Sequence, residues 1–274
     1  LDAEDAVRVD KDLDGRFSSP EDCPTCGGTG NFRWYTVASE GAEVPFSVTE
    51  PIGTFDCSCE DQWMAMRFMT ACGVKLHYQR LALSDFVADE PREALEKYGE
   101  RQHEYLRAGI GMVMYGPNGN GKTMAAAMLA KNAIAHGLLV HFATFSEMIA
   151  TFSSGWKSEE AKDWFHAKIK GAHLLVIDDV GKEMMQGLKK DISNVARHVI
   201  DDVLRYRYSS GLPTVMTTND PLDTMANRYG MSVLSLMSEN AVQCRFTGSD
   251  FRPQARARFE AEVDDGLTRP IVFR

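Results

Sequence analysis

An α/β fold with a five-stranded parallel sheet, preceded by a small cysteine-bearing module, is what this sequence predicts, on three observations. From residue 110 onward, short apolar runs alternate with helical patterns. The glycine-rich stretch GPNGNGKT, residues 116–123, lies between one such run and a helix. Near the start, two cysteine pairs, Cys23 with Cys26 and Cys57 with Cys59, flank a stretch rich in Gly, Pro, Thr and Ser.

The elements follow in order. Residues 1–22 carry Asp2, Glu4, Asp5, Asp10, Asp12, Asp14, Glu21 and Asp22 against Arg8, Lys11 and Arg16, and read as an acidic flexible arm. Within it, DKDLDGRFSSPE matches the calcium-loop pattern at Asp10, Asp12, Asp14, Gly15 and Glu21. Pro24 and Gly27–Gly28 prevent the exiting helix that an EF-hand needs. Residues 23–78 form the expected N-terminal module. It holds a hairpin of the runs FRWYTV and PFSV, then a helix through EDQWMAMRFMTACGV with Trp63, Met66 and Met69 at helical spacing. Residues 79–274 form the expected main domain, which opens on the extended run LALSDF and one helix through EPREALEKYGERQHEYLRAG, with Glu93 and Lys97 at i, i+4.

The strands are then IGMVMY (110–115), LLVHFAT (138–144), HLLVIDDV (173–180), PTVMTTN (213–219) and AVQCRF (241–246). Between them lie the helix KTMAAAMLAKNAIAHG, two helical pieces to residue 170, a long helix ended by Gly211, and further helix before the last strand. Alternation of this kind implies a parallel sheet covered by helices on both faces.

Composition bounds the function. The 274 residues are 44% hydrophobic and carry a formal net charge of −9, which argues against holding DNA by bulk electrostatics. No apolar run reaches the length of a membrane helix, and LDAEDAVRVD lacks the apolar core of a signal peptide. A cytoplasmic, reducing setting is expected, where clustered cysteines point to metal rather than to disulfides.

Three groups of residues carry chemistry. The loop Gly116, Pro117, Asn118, Gly119, Asn120, Gly121 fits G-x-x-x-x-G-K-[ST], so its backbone N–H groups face the phosphates of ATP at a helix N-terminus. Lys122 reaches the terminal phosphates and Thr123 holds Mg²⁺. LLVIDDV ends in Asp178, assigned to Mg²⁺, and Asp179, assigned to water activation; Asn219 ends the fourth strand, where an amide can position that water. The spacing C-x₂-C-x₃₀-C-x-C makes Cys23, Cys26, Cys57 and Cys59 a closed four-thiolate set for structural Zn²⁺. Cys72 and Cys244 read as buried free thiols. Two segments are candidates for single-stranded DNA: residues 145–170, with Trp156, Trp164, Phe165, Lys157, Lys162, Lys168 and Lys170, and residues 181–191, with Lys182, Lys189 and Lys190.

The motifs LALSDF, GPNGNGKT, LLVIDDVG, RYRYSSGLPTVMTTN and GSDFR, in that order over residues 80–252, resemble the DnaC/DnaI/IstB group of AAA+ ATPases. CPTCGGTG followed by a C-x-C pair is also similar to some DnaC-like chains. The resemblance implies an AAA+ P-loop NTPase domain, a nucleotide site between neighbouring subunits, a ring or spiral homo-oligomer, and work on DNA or a DNA-bound ring protein. It matches Lys122 and Thr123 to Walker A, Asp178 and Asp179 to Walker B, Asn219 to sensor 1, and Arg207 and Arg252 to positions where the group carries arginine. The chain departs from the group on the helix before the last strand: SVLSLMSENAVQC has no arginine to offer a neighbour's ATP. Arg228 or Arg245 is the expected substitute. The leading expectation is a loader that binds a hexameric replicative helicase and delivers it onto single-stranded DNA. The alternatives are an IstB-like transposition helper and an ATP-binding adaptor with little hydrolysis.

Overall fold

The computed structural model describes residues 31–37, 48–56, 59–82, 85–86, 89–155, 158–182 and 190–264. The chain divides into two compact units, with the division falling between Phe68 and Met69 and again between Ala257 and Arg258.

The first unit contains an antiparallel hairpin of β1 (Asn31–Val37) and β2 (Val48–Asp56), in which Asn31 pairs with Asp56 and Val37 with Val48. The following helix, α1 (Cys59–Ala71), starts in this unit. Cys23, Cys26, Cys57, the acidic arm and its calcium-type loop lie outside the described residues, as does the side chain of Cys59. Among the described residues, no group of three or more His, Cys, Asp or Glu is arranged to hold a metal.

The second unit begins ten residues before the sequence-derived boundary at 79, and the reason is packing. Met69 and Val74 are buried, Cys72 O accepts from Phe142 N at 2.7 Å, and Gln79 Nε2 donates to Val74 O at 2.9 Å. The segment therefore caps the edge of the main sheet. After α2 (Leu76–Gln79), the single helix expected over 90–109 is two: α3 (Asp89–Glu100) and α4 (Gln102–Arg107). The break is tertiary. Buried Gln102 donates to Leu129 O at 2.7 Å and accepts from Asn132 Nδ2 at 2.6 Å, which turns the chain at Arg101.

The sheet has five strands, all parallel: β3 (Gly111–Tyr115), β4 (Val140–Thr144), β5 (Leu174–Val180), β6 (Thr214–Thr218) and β7 (Ala241–Arg245), in spatial order β4-β5-β6-β3-β7. α5 (Lys122–Ala135) follows β3, and its fully buried Ala125, Ala126, Ala127 and Ala130 leave only methyl groups between helix and neighbours. α6 (Phe145–Gly155) and α7 (Glu159–Phe165), which runs into a π-helical turn (His166–Lys170), connect β4 to β5. α8 (Lys190–Ser209), α9 (Leu222–Tyr229), α10 (Met231–Asn240) and α11 (Arg252–Asp264) complete the order. One continuous core joins Leu175, Ile177 and Met216 of the sheet to Phe145, Phe165, Val203 and Val233 of the helices. Among the described residues, no helix is long and apolar enough to cross a membrane.

Three sequence-derived assignments are corrected by packing. Arg207, expected at the nucleotide, is wholly buried at the other end of the strands. It donates to Thr214 Oγ1 (3.0 Å) at the start of β6 and to the carbonyls of Ile169, Lys170, Ala172 and Pro213 (2.6–3.1 Å). Phe165, a candidate for stacking on DNA, is 6% exposed in the core, and Lys170 is paired with Asp202 at 2.7 Å. Arg228, the expected substitute finger, is engaged within its own chain, with Asp220 Oδ2 at 3.0 Å and Gly181 O at 2.6 Å. Trp164 remains half-exposed, edge-on to His141, and Trp156, Lys157 and Lys189 lie outside the described residues. Cys72 and Cys244 are free and buried, and burial pushes the Cys244 thiol up to about 11.

Candidate nucleotide site

The loop between β3 and α5 is shaped by close approach. Gly119 and Gly121 have φ of +79° and +92°, a region that side chains rarely adopt. A methyl on Gly119 would lie 2.1 Å from Asp250 Oδ1, and one on Gly121 2.7 Å from the Phe86 ring. The loop is braced from below, where Asn120 Nδ2 donates to Phe246 O at 3.2 Å. Lys122 is nearly buried and turns back on the loop, donating to Gly116 O (2.8 Å), Pro117 O (2.5 Å) and Asn120 Oδ1 (3.0 Å). Burial draws its pKa down to about 8, with Asp179 acting in the opposite direction. An ammonium held this way is ready to exchange carbonyls for phosphate oxygens.

Across from the loop, β5 and β6 end side by side. Asp178 Oδ1 accepts from Thr123 Oγ1 at 3.0 Å and from Thr217 Oγ1 at 2.5 Å, so the hydroxyl of the loop and the carboxylate of the strand meet directly. Burial raises the Asp178 pKa, and the Thr217 and Thr123 hydroxyls oppose that. The contact fits Mg²⁺: a hard cation takes a hydroxyl and a carboxylate together, and positive charge would offset the cost of burying Asp178. Asp179 has φ +60°, the only positive value outside glycine among the described residues. The register shift between Ile177 and Val180 accompanies it, and Thr217 Oγ1 accepts from Asp179 N at 2.9 Å. The turn breaks strand alternation where Asp178 and Asp179 follow one another. Asp179 Oδ1 is held by Lys182 Nζ at 2.6 Å.

The loop from Asn118 to Thr123 and Asp179 open on one cavity of about 330 Å³, with Asp178 buried behind Thr123 rather than in the lining. Its lining includes Asn118 through Thr123, Asp179 and Asn219, which sequence reasoning had brought together, and Arg252. It also includes His77, Tyr78, Leu81, Lys182 and Phe251, which sequence reasoning had not placed there. LALSDF was the only signal for the wall at Leu81, and it names no role. Lys182 was read as a loop lysine for DNA; it pairs with Asp179 instead. Arg245 is exposed on β7, the edge strand.

A family model described as IstB-like ATP-binding protein matches residues 69–238. Among solved structures, the DnaC helicase loader aligns with 63% of this chain and 100% of its own, at 20% identity and a TM-score of 0.54. DnaI aligns with 65% of this chain and 94% of its own, at 22% identity and 0.53. Domain III of the Thermotoga maritima replication initiation protein DnaA aligns with 70% and 76%, at 17% identity and 0.54. At such identities the likeness is one of fold, and the fold is that of an AAA+ ATPase domain. No curated protein matches significantly. The phosphate loop, the Thr123–Asp178 contact and the family match over most of the second unit lead to one conclusion: the chain belongs to the IstB-like ATP-binding protein family.

Proposed function

We propose that this chain is an ATP-dependent loader that binds a hexameric replicative helicase and delivers it onto single-stranded DNA. The supporting observation is the fold of the second unit, to which the DnaC helicase loader aligns over 100% of its own chain and DnaI over 94%. The ATP site organises the chain into a ring or spiral, and the N-terminal unit grips the helicase. Lys122 and the loop N–H groups bind the phosphates, and Thr123 and Asp178 hold Mg²⁺, which neutralises phosphate charge when bound. Asp179 and Asn219 orient the attacking water. With Arg228 engaged in cis and no arginine on α10, the chain hydrolyses ATP slowly until a partner completes the site. Measuring the mass of a mixture with the replicative helicase of the same genome tests this. A defined complex is expected, and separate species at all nucleotide conditions would refute it. Strong filaments on duplex DNA would instead favour a transposition helper.

The N-terminal unit holds Zn²⁺ through Cys23, Cys26, Cys57 and Cys59 under this proposal. The hairpin pairing of Asn31 with Asp56 supports it, since Cys26 and Cys57 are close in sequence to those two paired residues. Metal analysis of the purified chain should find about one zinc per chain. Loss of that zinc in the Cys23→Ser, Cys57→Ser variant is expected, and zinc surviving in that variant would remove the four-thiolate site.

A further inference from the structure

We propose that Lys131 is a positioning residue that fixes the wall of the nucleotide site at Tyr78 and Leu81, and that this wall meets the base. Lys131 lies on α5, the helix whose first residue is Lys122, and is 0% exposed. Its ammonium has three donors and finds three carbonyls: Tyr78 O at 3.2 Å, Gln79 O at 3.1 Å, and Leu81 O. These belong to the end of α2 and the residues just after it, where helix carbonyls lack intrahelical partners and a cation is favourable. The side chains of Tyr78 and Leu81 line the ATP cavity, so the backbone behind that wall is pinned by Lys131. Gln79 points the other way, donating to Val74 O and Thr70 Oγ1 at 2.9 and 3.1 Å. One helix thus carries two buried cations: Lys122 at the phosphate loop, and Lys131 behind the wall at Tyr78 and Leu81. Burial lowers the Lys131 pKa to about 8, which leaves it charged at pH 7, and Asp85 acts in the opposite direction.

Removing the ammonium takes this donor from Gln79 O and Leu81 O, while Tyr78 O keeps Leu81 N at 3.3 Å, so the segment must shift to find new partners. The phosphate loop has its own bracing, from Asn120 Nδ2 to Phe246 O, and keeps its shape. The inference rests on the cavity being the ATP site, and the experiment separates the two. Binding of Mg-ATP and of Mg-tripolyphosphate, which has no base, is measured on the full chain. In Lys131→Met, ATP affinity should fall about tenfold or more, the cost of unpaired buried acceptors, while tripolyphosphate affinity stays within about twofold. Unchanged ATP affinity, or an equal loss for both ligands, would overturn the proposal. If Lys131→Met does not fold, Lys131→Gln, which keeps a donor but not the charge, is read the same way. Lys122→Ala is the control and should weaken both ligands; if it weakens neither, the assignment of the cavity itself is wrong.

Discussion

Lys122→Ala should abolish productive ATP binding while leaving the fold intact. Without nucleotide, the Lys122 ammonium is satisfied only by Gly116 O, Pro117 O and Asn120 Oδ1, all within its own loop. Pro117 is exposed and Gly116 partly so, which gives their carbonyls access to solvent, and only the buried Asn120 Oδ1 loses its donor outright, so truncation costs no more than about 1–3 kcal/mol. ATP loses its one buried cation. Truncating one partner of a buried charge pair costs about 2–5 kcal/mol, so affinity should drop on the order of 10²-fold. Asp179→Asn should separate the steps. The amide keeps the size of the side chain but cannot accept a proton, so binding survives and hydrolysis falls by about 10²-fold or more. Titration with a fluorescent ATP analogue and phosphate release under single-turnover conditions measure the two. Hydrolysis surviving in both variants would show that the chemistry resides elsewhere.

Arg207→Met should be among the most destabilising single changes in the second unit, with no direct effect on the ATP site. The guanidinium closes the end of the sheet away from the nucleotide, joining the π-helical turn, the segment before β5 and the start of β6. Burial lowers its pKa to about 9, still charged at pH 7. Methionine fills much of the volume but leaves the carbonyls of Ile169, Lys170, Ala172 and Pro213 without this donor. Breaking a buried charged network of this kind costs about 3–5 kcal/mol. A loss of roughly 10 °C in Tm is expected, since each kcal/mol is worth about 2–4 °C in a domain of this size. Calorimetry checks it. An unchanged Tm with lost hydrolysis would return Arg207 to the catalytic machinery.

The contrast between these two residues shows what was legible in the sequence. All five strands lie where the apolar runs put them, most plainly β3 and β6, whose residues are almost all buried, as in a parallel strand covered on both faces. The meeting of Lys122, Thr123, Asp179 and Asn219 at one cavity was legible because the loop and the strand tips are local motifs placed by the sheet. Arg207 was misassigned from its position in a family motif, although periodicity carried the opposite signal. Val199, Val203 and Arg207 fall at i, i+4 and i+8 of α8, on its buried stripe. The wall at His77, Tyr78 and Leu81 was not legible, because it depends on Lys131 reaching back about 50 residues to a short helix with no motif of its own. The helix break at Arg101 was hidden for the same reason, since its cause is a side-chain bond from Gln102 to Leu129. Long-range hydrogen bonds of single polar side chains leave no period in the sequence.

Under the proposed function, ATP bound at Lys122 drives delivery of a helicase. The most direct test is loading of the replicative helicase of the same genome onto closed circular single-stranded DNA, read as unwinding of an annealed strand. Wild-type chain with ATP should accelerate unwinding, and Lys122→Ala should not. Equal acceleration by both proteins, or none by either while the wild-type chain forms filaments on duplex DNA, would contradict the account.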